Sequence, residues 1–73
     1  MEEQIIDIIS RIIKIERKEL QTRVNEEGLW DSFNGLEIVL ALEESFDIML
    51  KTEEIGNMKT INQILCIVKE LIE

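Results

Sequence analysis

The chain has 73 residues, 45% hydrophobic and 33% charged, with one cysteine and neither proline nor histidine. Sixteen acidic residues against eight basic ones leave a formal net charge of −8, which argues against nucleic acid as a partner because its phosphates would be repelled. So short a chain reads as one domain over 1–73, near the lower size limit for an unaided core, and a lone Cys66 forms no internal disulfide and fits a reducing, cytoplasmic compartment.

Without histidine the usual base for activating a serine or cysteine is missing, and no Cys/His cluster is available for zinc. Gly28, Gly35 and Gly56 lie too far apart for a phosphate-binding loop. The chain is therefore expected not to be an enzyme and to hold no metal. Its apolar runs are too short to cross a membrane. The opening Met1-Glu2-Glu3-Gln4 is acidic where a secretory signal would be basic. The negative surface suits partners with basic docking patches, and it serves solubility as well.

The first predicted element is a helix over 2–17. Glu2, Glu3 and Asp7 stand near its start and Arg11, Lys14, Arg17 and Lys18 near its end, the order that the helix dipole favours. Ile5, Ile8, Ile9, Ile12 and Ile15 recur at helical spacing as a core stripe, widened by Ile6 and Ile13. Residues 18–31 read as a long connection, unusual in so small a domain, pinned to the bundle by Leu20, Val24 and Leu29. Trp30 at its end is expected to be partly exposed.

A second helix is predicted over 32–46, after a break at Gly28 and a cap at Asp31. Ile38, Val39, Leu42 and Phe46 form one apolar face. Phe33, Leu36 and Leu40 form another, flanked by Glu37 and Glu44. A bundle helix needs one stripe for its own core, so the second either packs against a loop or is left to a partner. Gly35 in the first turn costs roughly 1 kcal/mol relative to Ala, which suggests that something approaches closely there, an enzyme or a bound group.

Asp47 to Leu50 come next as a loop, with Ile48 and Leu50 inward. Thr52-Glu53-Glu54-Ile55, then Gly56-Asn57, reads as a single-turn helix opened by Thr52. A last helix over 60–72, capped by Thr60, buries Ile61, Ile64, Leu65, Val68 and Leu71 or Ile72. Cys66 flanks the stripe and reads as a small packing residue. Three longer helices, one short one and a long first connection assemble as an all-α, four-helix bundle.

The chemistry concentrates at the start of the second helix. Asp31 caps it, Ser32 takes the first helical position, and free backbone donors at the positive end of the dipole would welcome a phosphate beside that serine. On local physics alone Ser32 reads first as a spare capping residue, because Ser and Asp crowd helix starts. Asp31-Ser32-Phe33, with Leu36-Glu37-Ile38-Val39-Leu40-Ala41-Leu42-Glu43-Glu44-Ser45-Phe46-Asp47 after it, resembles the acyl carrier proteins. The resemblance is densest over 28–47 and weak in the first helix. Lys51 stands where the family often has proline.

The resemblance implies the family's four-helix fold and a phosphopantetheine arm attached to Ser32 by a phosphopantetheinyl transferase using coenzyme A. The arm's thiol would hold an acyl group as a thioester and present it to partner enzymes. Phe33, Leu36, Glu37, Leu40, Glu43, Glu44 and Asp47 would be the docking surface, although Leu36 and Leu40 could be core and Glu43 and Glu44 a solvated face. The expected protein is a monomeric cytoplasmic acyl carrier of fatty-acid, polyketide or specialised lipid biosynthesis. Phe33 in place of the usual Leu and Asn34 in place of an acid depart from the housekeeping fatty-acid carriers, and Gly28-Leu29-Trp30-Asp31-Ser32 is similar to a stretch of some specialised and aminoacyl carriers, including the D-alanyl type, so a carrier of those kinds is implied as readily as a general fatty-acid one. A non-catalytic helical interaction module is the alternative from another class.

Overall fold

A computed structural model of the chain describes residues 1–72. Among them are five helices and no strand: α1 (Glu2–Ile13), α2 (Arg17–Gln21), α3 (Ser32–Phe46), α4 (Thr52–Gly56) and α5 (Ile61–Ile72). The three longer helices form the expected all-helical bundle, with α4 as the short one. The difference lies in the first connection, which carries the additional short helix α2.

The apolar stripes meet in one core. Ile5, Ile6 and Ile9 of α1, Ile38, Val39 and Leu42 of α3, and Ile61, Ile64, Leu65 and Val68 of α5 are buried together. Leu20 and Leu50 join them from the first short helix and the loop after α3, with Val24, Leu29, Phe46 and Ile48 packed at the edge. Met58, which the periodicity did not single out, is buried as well. Leu71 and Ile72 are exposed, so the α5 stripe ends at Val68.

α1 is shorter than its isoleucine pattern suggests. Lys14 takes the left-handed conformation (φ 60°) and its N–H donates to the Ser10 carbonyl. The Ser10 hydroxyl donates to the Ile15 carbonyl at 2.6 Å, which holds the turn. The chain then re-enters a helix, and Leu20 drops into the core. Beyond α2, Arg23 donates to both Glu26 oxygens, at 2.9 and 2.6 Å, and to Glu19 at 2.7 Å. Hydrogen bonding to Arg23 lowers the Glu26 pKa from its ordinary value. The Asn62 N–H donates to the Val24 carbonyl at 2.9 Å, so the connection is tied to the first turn of α5.

The short and last helices are capped by side chains three residues in. Thr52 is the first residue of α4 and not its cap: the Glu54 carboxylate accepts from the Lys51 N–H at 2.8 Å. At α5 the Thr60 hydroxyl accepts from the Gln63 N–H at 3.1 Å, and the Gln63 side chain accepts from the Thr60 N–H at 2.9 Å. This is a reciprocal capping box.

Candidate functional site

The site is built where the connection delivers the chain into α3. Gly28 has φ +82°, a conformation that glycine adopts without steric cost, and it makes the break that precedes the helix. Asp31 is extended, and its carboxylate accepts from the Asn34 N–H at 2.8 Å. Its carbonyl accepts from the Gly35 N–H at 2.8 Å, opening the helical ladder. The cap is therefore supplied by Asp31 alone.

Ser32 comes next as the first helical residue and is exposed. Among the described residues its hydroxyl takes no hydrogen bond, so it is not a spare cap. The dipole of α3 and the unpaired N–H groups of its first turn lie beside it. Those are surroundings that an anionic ester would find favourable, and they fit a phosphodiester at this oxygen. Among the described residues no group of His, Cys, Asp and Glu could hold a metal.

The two apolar stripes of α3 separate cleanly. Ile38, Val39 and Leu42 are buried, while Phe33, Leu36 and Leu40 are 72%, 56% and 57% exposed. Glu37, Glu44 and Asp47 are exposed, and among the described residues none of them makes an ion pair. Glu43 differs: it is half-buried and its carboxylate accepts from the Leu50 N–H at 2.9 Å, which fastens the loop after α3. Asp47 ends the helix in the left-handed conformation (φ 53°), where Asp is better tolerated than most residues.

Gly35 has a different explanation from the one its sequence position suggested. What approaches it is Trp30: a Cβ at position 35 would lie 3.2 Å from the Trp30 Cδ1. Trp30 is half-buried, as expected. Cys66 also departs from expectation. It is exposed on α5 and not a packing residue, because the side of α5 turned to the core is already filled by Ile61, Ile64, Leu65 and Val68.

A cleft of about 490 Å³ opens beside Ser32. Its lining includes Trp30, then Gly35, Leu36, Ile38 and Val39 of α3, with Ile55 of α4, Met58 of the connection after it and Ile64 of α5. Glu27, Asp31 and Lys59 supply charge. Sequence reasoning did not find Ile55 or Lys59 as neighbours of the serine, because only the folding of α4 and α5 against α3 brings them there.

An all-helical bundle that presents an unpartnered serine at a helix start, with an apolar and acidic face behind it, is the architecture of a carrier protein. No protein-family model matches the chain. Among curated proteins, the D-alanyl carrier protein of Lactococcus lactis subsp. cremoris (strain MG1363) is 36% identical over 74 residues, covering 96% of this chain and 94% of its own. The D-alanyl carrier protein of Lactococcus lactis subsp. lactis (strain IL1403) is 35% identical with the same coverage. The chain belongs to the acyl carrier protein family and is a phosphopantetheine-dependent carrier protein. Proteins of this kind are not catalysts, and they carry a covalently attached phosphopantetheine arm. The interaction module considered on sequence grounds gives way to this family.

Proposed function

We infer that the chain is an aminoacyl carrier, with Ser32 as the attachment point of the arm and D-alanine as its cargo. The observation that carries the attachment point is the exposed, unbonded Ser32 hydroxyl at the start of α3, beside a cap that Asp31 supplies by itself. The cargo rests on the curated relatives, whose names favour the aminoacyl reading over fatty-acid, polyketide or other lipid carriage. Gly28-Leu29-Trp30-Asp31-Ser32 and the uncharged Asn34 lean the same way.

When attached, the arm supplies a thiol that holds the cargo as a thioester. The protein's own residues do the rest. Asp31 fixes the direction in which α3 leaves the connection. Phe33, Leu36 and Leu40 offer apolar contact area. Glu37, Glu44 and Asp47 steer towards Lys and Arg on partner enzymes, and Glu43 holds the end of that surface by its bond to Leu50. The partners are a phosphopantetheinyl transferase using coenzyme A, an enzyme that activates the amino acid, and one that receives it. Residues 1–73 act as one monomeric carrier domain in the cytoplasm. Among the described residues no helix is long and apolar enough to cross a membrane.

The test is intact mass after incubation with coenzyme A and a promiscuous phosphopantetheinyl transferase. Wild type is expected to gain one arm and Ser32→Ala none. The holo protein is then offered to an amino-acid-adenylating enzyme with D-alanine and ATP, and in parallel to a fatty-acyl-loading enzyme. A mass gain of one alanyl group with the first enzyme alone supports the aminoacyl reading. Loading with fatty acid alone overturns it and leaves the carrier class standing.

A further inference from the structure

Trp30 is the only tryptophan of the chain and stands two residues before Ser32. Its ring is seated on the first turn of α3: a Cβ at position 35 would come within 3.2 Å of Cδ1 and 3.4 Å of Nε1. Glycine at that position is what lets the indole lie so near the helix. Trp30 and Ser32 line the same cleft. Among the described residues the indole N–H meets no acceptor, although tryptophan N–H groups usually find one when they are buried. Beside the serine there is thus a held aromatic ring carrying an unused donor.

The cleft is of a size that takes part of a small ligand; Glu27, Asp31 and Lys59 are its charged residues, and its apolar lining includes Leu36, Val39, Ile55 and Met58. They suit a segment that alternates methyl and methylene groups with hydroxyl and amide oxygens, which is the chemistry of the arm near its phosphate.

We propose that Trp30 is the residue that positions the arm: its indole is a platform along which the arm leaves Ser32, and its Nε1–H donates to an oxygen of the arm. The proposal rests on Ser32 as the attachment point. Lys59, on the same cleft, supplies a positive charge for the arm's phosphodiester, and the ring sets the direction of the chain beyond that phosphate.

The experiment compares the full chain before and after modification, with intact mass proving one arm per chain. On conversion of wild type, the Trp30 Hε1 resonance is expected to shift and to show cross-peaks to arm protons. Trp30 emission, the only tryptophan signal, moves to the blue and becomes less open to iodide quenching. Trp30→Phe keeps the ring without the donor and retains the arm cross-peaks. Trp30→Ala loses them, while Ser32 is still modified. A role confined to packing on Gly35 would leave no cross-peak to the arm. One arm gained with no such cross-peak in wild type overturns the proposal and leaves the attachment standing. No arm gained overturns the attachment at Ser32, and the proposal with it.

Discussion

α1 and α3 pack against each other in the bundle and treat their surfaces in opposite ways. α1 has one apolar face, and most of its charges are paired: Asp7 with Arg11 and, at 3.9 Å, with Arg17, and Glu2 with Lys69 of α5. α3 has a buried apolar face and an exposed one, and Glu37, Glu44 and Asp47 have no ion partner among the described residues. Paired charges on α1 close its surface. Unpaired acids around exposed Phe33, Leu36 and Leu40 leave α3 open to a partner that brings the opposite charge. The scaffold and the working surface are thus two neighbouring helices, told apart by whether their side chains are already satisfied.

The sharpest way to break this contrast is to truncate one residue on each helix. Ile9→Ala removes a fully buried side chain from α1 and is expected to cost about 2–5 kcal/mol. A domain of this size has a total stability at the low end of roughly 5–15 kcal/mol, so the variant should be largely unfolded at modest urea concentrations by circular dichroism. Leu40→Ala removes an equally large side chain from the open face of α3. Its urea midpoint should match wild type within about 0.5 kcal/mol, while the activating enzyme loads it with a raised KM. Equal losses of stability for the two would mean that Leu40 is packed.

Asp31→Ala comes next in size. It removes the acceptor of the Asn34 N–H, and loss of such a cap is expected to cost about 1 kcal/mol, read from the urea midpoint. Asp31→Asn keeps an acceptor oxygen and should recover most of that loss. Because the cap sets the entry of α3, the alanine variant is also expected to be modified more slowly by the transferase, at a rate that mass spectrometry tracks directly.

A smaller effect on α1 depends on pH. Glu2 is exposed, and its pKa is lowered first by a hydrogen bond to Lys69 and then by that ammonium's charge. A carboxyl whose folded pKa lies below its unfolded value stabilises the fold above the ordinary carboxylate range and loses that contribution as pH falls through the lowered value. Wild type should therefore exceed Glu2→Gln in urea midpoint at neutral pH, by a small margin that closes in acid.

Legibility in the sequence divides along the same line. α3 was legible to its ends because its boundaries are chemical: Gly28 and Asp31 before it, and an Asp at position 47 that tolerates the left-handed turn. The end of α1 was not legible. Lys14 adopts φ 60° without being Gly or Asn, and the bond that holds the turn runs from Ser10 to a carbonyl five residues on. α2 escaped because Arg17-Lys18-Glu19-Leu20-Gln21 has one apolar residue and no period. Ser32 was visible from its cap and its motif. The cleft was not, since Ile55, Met58 and Lys59 reach it only through the packing of α4 and α5. Cys66 was misjudged because an apolar stripe shows which residues are hydrophobic and not where its edge falls.

Gly35 brings the two kinds of information to a single position. Sequence alone marks it as a defect, a glycine inside a helix where alanine would be better by about 1 kcal/mol. The fold marks it as a seat, because a Cβ there would lie 3.2 Å from the Trp30 ring and one of the two would have to give by a few tenths of an ångström. Trp30 is only half-buried and can tilt, so the two effects oppose each other. Gly35→Ala is expected to change the urea midpoint by no more than about 0.5 kcal/mol, while Trp30 emission moves to the red as the ring lifts from α3. A gain of the full propensity difference with unchanged emission would show that the ring is not held there. The open side of α3 would then lack a fixed platform beside the serine.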